Sequence, residues 1–204
     1  MNRAATMPGA PPAVLLVPGW SDSERALRPL ARRLRAAGWP PSHVRTLGFR
    51  RRFGGNVEHA EEIAAAVDAL RAAARCPRVA LVAHSMGGLA ARWYLTRLGG
   101  AAHVHTAIFL ATPHHGTYAA WLGFGPGARE MRPGSEFLQR LNATPWPDTV
   151  RAHCFRTPLD LRIFPPASAL LDGATARVIR APTHPGMLRS RPVFRALLEA
   201  LRSG

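Results

Sequence analysis

The chain has 204 residues, 47% of them hydrophobic and 19% charged, with a formal net charge of +15. Its length fits one domain of about 100–200 residues. So apolar a composition excludes a disordered chain, and two cysteines, Cys76 and Cys154, exclude a disulfide-built scaffold and are expected to be unpaired. No apolar run reaches the roughly 18 residues of a membrane-spanning helix. All 27 basic residues are arginines, spread from Arg3 to Arg202, and only Arg50-Arg51-Arg52 forms a run. A surface built for phosphate contacts would mix lysine with arginine, so the charge reads as compositional bias and no nucleic-acid partner is expected. The run reads as a solvated or substrate-rim patch.

Residues 1–12 lack an apolar stretch of signal-peptide length and are interrupted by prolines; they are expected to be a disordered tail, and a cytoplasmic location follows. Ala13 to Val17 is a continuous apolar run stopped by Pro18-Gly19, the pattern of a buried parallel strand. Ser23 caps a helix through about Ala37, with Leu27, Leu30, Ala31 and Leu34 on one face and Gly38 as its stop. Val44 to Phe49 is a weaker strand. Val57 to about Arg75 is the strongest helix, with Ile63, Val67 and Leu70 on one stripe and acids near its start. Val79 to Ala83 is a second buried strand, followed by a helix from Met86 to Leu98. Strands are expected at Val104–Ala111, Arg151–Arg156 and Arg177–Arg180, and a last helix at Pro192–Leu201. Alternation of this kind means a single-domain α/β fold over 13–204, its mostly parallel sheet covered by helices on both faces. The one long irregular segment, an insert over 113–148, carries clustered aromatics and reads as a minimal cap.

The informative segment is Val79 to Gly88, Val-Ala-Leu-Val-Ala-His-Ser-Met-Gly-Gly. It matches the strand–turn–helix nucleophile elbow, G-x-S-x-G, with Ala83 at the first glycine position. A strand that turns into a helix within one residue forces the serine into a strained backbone and lifts its hydroxyl above the sheet. Positions two before and two after must be small, which Ala83 and Gly87 satisfy.

Ala-His-Ser-Met-Gly-Gly after a buried strand resembles the elbow of small bacterial lipases and esterases of the α/β-hydrolase fold. The segment Ala111-Thr-Pro-His-His-Gly-Thr117 is similar to a stretch of triacylglycerol lipases and of GPI-inositol-deacylase-like hydrolases. Ser135-Glu-Phe-Leu138, with Leu141-Asn142, is similar to a stretch that follows it there. The resemblance runs from about Ala13 to Leu201 and implies a serine ester hydrolase, lipase or carboxylesterase, with no cofactor and no metal. In that fold the order is nucleophile, acid, histidine. Ser85 is then the nucleophile. Asp160, after the Arg151–Arg156 strand, is the acid, with Asp172 its main rival and Asp148 a weaker one. His184, after the last strand, is the base. The backbone N–H groups of Trp20 and Met86 would form the oxyanion hole. Relatives have His-Gly-x at the first of these places, where this chain has Pro18-Gly19-Trp20, so what braces that loop is open. Tyr118, Trp121, Leu122 and Phe124 are the candidate substrate-binding residues.

The remaining histidines carry weaker readings. His84 lines the site or packs, and His103 and His105 flank a strand. His114 and His115 lack acidic or cysteine partners at metal-ligand spacing. The same triad would also serve a thioesterase, a lipid deacylase or an acyltransferase. A different class, a catalytically inactive basic interaction or nucleic-acid-binding module, loses ground because every proposed catalytic element is present in order. The partners implied are a small-molecule or lipid ester and a peripheral contact with a lipid surface.

Overall fold

A computed structural model describes residues 11–158, 160–180 and 183–203. Most of the expected tail, and Leu159, Ala181 and Pro182 beside two expected site residues, lie outside the described residues. Pro11 and Pro12, the last residues of that tail, pack onto the body. They are half-buried, and their carbonyl oxygens accept hydrogen bonds from His43 Nδ1 and Trp39 Nε1, each at 2.9 Å.

The strands are β1 (Val14–Val17), β2 (Val44–Thr46), β3 (Val79–His84), β4 (Val104–Leu110), β5 (Arg151–Arg156) and β6 (Thr175–Val178). They form one sheet in the order β2-β1-β3-β4-β5-β6, parallel throughout. The helices are α1 (Glu24–Ala36), α2 (Asn56–Ala74), α3 (Gly87–Arg97), α4 (Gly125–Glu130), α5 (Glu136–Asn142) and α6 (Arg191–Arg202). Side chains on one face of the central strands, such as Leu15, Val17, Leu81 and Phe109, pack with α2, α3 and α5. Those on the other, such as Val14, Leu16, Val82 and Ile108, pack with α1 and α6. Both faces are dry, which is why β1 and β3 are apolar at every position before His84 and do not alternate. In α6 the stripe Val193, Ala196, Leu197, Ala200 and Leu201 is buried at helical spacing. No helix among the described residues is long and apolar enough to cross a membrane.

Three expectations need correction. Strand β2 ends at Thr46, because Phe49 leaves the sheet to stack on His59 with ring centroids 3.8 Å apart. Strand β6 begins at Thr175, two residues before the expected start. It is an edge strand with largely exposed side chains, so its place is set by pairing His153 with Thr175 and not by an apolar pattern. The insert is not irregular: it contains α4, α5 and a 3₁₀ turn at Tyr118–Leu122. Ser135 caps α5 by accepting from Leu138 N–H, and Phe137, Leu138 and Leu141 bury one side of it.

Candidate active site

Ser85 sits where β3 turns into α3, with φ at 54°, in the left-handed region that a residue with a side chain rarely occupies. Sterics explain its neighbours. A Cβ on Gly87 would lie 2.1 Å from the carbonyl oxygen of Pro18, and one on Gly19 would lie 2.9 Å from Ser85 Cβ. Helix and loop therefore close on the serine only because both positions are glycine. The loop that carries Trp20 is thus held against Ser85, and Met86 follows the serine at the buried N-cap of α3.

Ser85 and His184 line the same cavity, of about 240 Å³. His184 Nδ1 donates to Asp160 Oδ2 at 2.8 Å. Asp160 is buried, and its other oxygen accepts the N–H groups of Arg162 at 2.9 Å and Ile163 at 3.0 Å. Burial alone would raise its pKa. The hydrogen bond and charge of His184, with the two backbone donors, outweigh it and hold the carboxyl below its ordinary range. Burial is also the largest influence on His184 and pushes its pKa below 6.5, helped by His84 and opposed by Asp160. A neutral imidazole fixed in one tautomer by a carboxylate is the state a general base needs. The rival acids lie elsewhere: Asp172 and Asp148 are exposed and share a separate surface cavity with His153 and Trp146.

The cavity walls differ from expectation. Of the four candidate substrate-binding residues only Leu122 lines it, beside Ala119, Ala120, Thr117, Met131 and Ile163. Tyr118, Trp121 and Phe124 are 58–63% exposed at the rim. At about three residues per 3₁₀ turn, Tyr118 and Trp121 share one edge while Ala119, Ala120 and Leu122 face the cavity. Arg132 lies over the Trp121 ring at 4.4 Å, and Phe124 packs on Trp20 and Phe53. Phe53 follows Arg50-Arg51-Arg52, all exposed, with Arg50 and Arg51 paired to Glu62 and Glu58. The run therefore stands beside the rim.

Sequence reasoning missed Asp22, which lines the cavity two residues after Trp20. Its Oδ2 is 3.3 Å from His84 Nδ1, and His84 Nε2 is 3.3 Å from the carbonyl oxygen of His184. Burial would raise the pKa of Asp22, but the contact with His84 outweighs it and the carboxyl is held below its ordinary range. Asp22 is the one acid in the loop between β1 and α1, a signal that could have drawn notice.

The Thr-Pro-His-His-Gly-Thr segment proves to be a brace. Thr117 Oγ1 donates to Arg162 O at 2.8 Å and accepts from Phe164 N–H at 2.9 Å, which ties the insert to the loop that bears Asp160. Ser168 Oγ donates to Gly116 O from the same side. His114 is buried beside Arg92, whose guanidinium donates to Asn142 Oδ1 at 2.9 Å, while Asn142 Nδ2 donates to His114 O at 3.1 Å. The two similar segments thus meet on a buried arginine of α3. Burial lowers Arg92 to about 10 and holds His114 well down in its neutral form. Among the described residues no cluster of His, Cys, Asp and Glu could hold a metal. Cys76 and Cys154 are free.

A model of the alpha/beta hydrolase family matches residues 14–203. No curated protein matches the sequence. Among solved structures, the mature form of Bacillus licheniformis lipase BlEst2 superposes with a TM-score of 0.83 at 16% identity, over 98% of this chain and 96% of that one. Aspergillus fumigatus lipase B superposes with a TM-score of 0.77 at 19% identity, over 95% of this chain but 53% of that one, so the chain spans about half its length. The ydeN gene product of Bacillus subtilis gives 0.65 at 15% identity, over 94% of this chain and 98% of that one. At these identities the likeness is one of fold.

Proposed function

This chain belongs to the alpha/beta hydrolase family, and from that membership we propose that it is a serine ester hydrolase working through Ser85, His184 and Asp160. The observation that carries the reading is Ser85 at a left-handed junction of strand and helix, in one cavity with an imidazole bonded to a buried carboxylate. In this mechanism His184 Nε2 takes the hydroxyl proton as Ser85 Oγ attacks the ester carbonyl. The oxygen that becomes negative is held by the N–H groups of Trp20 and Met86. His184 then passes the proton to the departing alcohol, and Asp160 stabilises the imidazolium between the two transfers. Water repeats the sequence on the acyl-enzyme, releasing the acid and restoring Ser85.

The rim supports a lipid ester over a small polar one. Tyr118, Trp121, Leu122, Phe124, Leu161 and Phe164 are each more than half exposed, and each lines the cavity or adjoins a residue that does. Apolar side chains gathered at one mouth mark a surface that meets apolar material. Each acyl methylene withdrawn from water there contributes roughly 0.8 kcal/mol.

A fluorophosphonate probe should label the chain once, and Ser85→Ala should abolish labelling and cost about 10⁶ in turnover of p-nitrophenyl esters, as removal of a triad nucleophile does elsewhere. Labelling that survives in the variant overturns the assignment. A rise in kcat/KM from acetate to longer acyl chains is the expected signature of the lipid reading, and a flat series removes it.

A further inference from the structure

We propose that Asp22 and His84 form a positioning pair for His184, holding its main chain and ring in place beside Ser85; the inference rests on the roles proposed above for Ser85 and His184. His84 is 2% exposed, and the three-residue mechanism gives it nothing to do. Its place is nonetheless closely set. Nδ1 lies 3.3 Å from Asp22 Oδ2, Nε2 lies 3.3 Å from His184 O, and the two histidine rings stand 4.6 Å apart. A Cβ on Gly19 would come within 3.2 Å of both Asp22 Oδ2 and His84 Nδ1, so the pair is packed directly against the loop that closes on Ser85.

Contacts set the character of the pair. Both ring nitrogens of His84 lie 3.3 Å from an oxygen. Nδ1 lies against the carboxylate of Asp22, 31% exposed, and Nε2 is within hydrogen-bond distance of the main chain of His184. His84 also opposes protonation of the neighbouring His184 ring, which must stay neutral to accept the serine proton. The charged and titratable groups around His84 are Asp22, from the loop after β1, and His184; behind His184 stand Asp160 and Arg162, from the loop after β5.

The test compares wild type, His84→Gln and His84→Phe in the full chain. One readout is the NMR titration of the His184 ring; the other is kcat and KM on p-nitrophenyl butyrate. Gln keeps a donor for His184 O but removes the ring that holds the pKa of His184 down, so its kcat should stay close to wild type while the His184 midpoint moves up. Phe loses the donor as well, so kcat should fall by about 10–100-fold, the scale of a misplaced catalytic group, with KM unchanged and the midpoint again raised. A thermal melt separates loss of fold from loss of position, and the Gln variant carries the test if Phe does not fold. A His184 midpoint equal in all three proteins overturns the proposal, as does a His84→Phe enzyme with wild-type kcat. Since the titration needs no turnover, a shifted midpoint in a chain that hydrolyses no ester would uphold the pair while removing the hydrolase reading.

Discussion

Two acid–histidine pairs stand side by side in this site, and they are built differently. Asp160 is 5% exposed, bonds His184 at 2.8 Å and takes two backbone N–H groups on its free oxygen. Asp22 is 31% exposed and faces His84 at 3.3 Å. Water competes for Asp22 and screens its charge, whereas Asp160 has little but His184 and the backbone to answer it. The difference teaches how one fold assigns separate tasks to like pairs. The dry pair can hold an imidazole to one tautomer through a reaction cycle, whereas the pair with the wetter carboxylate can hold the main chain and ring of the first histidine in place.

The comparison breaks if the pairs prove equal under the same substitution. Asp160→Asn should reduce turnover by about 10⁴, since the amide favours the wrong imidazole tautomer. Asp22→Asn should cost only a few-fold, because the His84 donor on the His184 carbonyl stays in place. Paired kcat measurements on one ester decide it, and a larger loss at Asp22 would exchange the roles of the two pairs. Gly19→Ala joins the two regions, because its methyl would crowd Ser85 Cβ and the Asp22–His84 pair together. It should lower kcat by about 10², the effect of a shift near 1 Å, and slow fluorophosphonate labelling in parallel.

The smallest effect is the pH profile, which sharpens the contrast. In the proposed mechanism turnover needs neutral His184, and burial lowers its pKa from 6.5. Activity therefore declines at lower pH than an ordinary imidazole would give, as the folded imidazole takes up a proton. The half-maximal point of the acid limb of kcat/KM should lie under 6.5. A midpoint above that value would mean that Asp160 raises the imidazole more than burial and His84 lower it.

Much of this was legible in the residues. The run from Val79 to Gly88 carries its own instructions: dry apolar strand, small residue, serine, small residue, helix. Each is enforced by contacts within a few residues or against the neighbouring strand, such as the 2.1 Å approach that forbids a side chain on Gly87. Strand β5 falls at the expected residues because its apolar core reads locally. Asp160 and His184 could be named by their order in the fold. The sequence could not separate Asp160 from Asp172 by distance, and only the approach of His184 to one and not the other does so.

What the chain alone determined is therefore the alternation of dry strands and amphipathic helices, and the strained serine between them, because period, small residues and turn chemistry act over a few positions. The tertiary structure decided what those positions meet. It turned Ala119, Ala120 and Leu122 into the cavity and left Trp121 and Phe124 at the rim. It closed Arg92, His114 and Asn142, from three segments, into one network around a buried arginine. It set Asp22 against a histidine 62 positions away, with that histidine on the carbonyl of another 100 positions on. Such contacts depend on how strands are ordered in the sheet and how loops fold over their ends, and neither order nor direction is written in the spacing of any one segment.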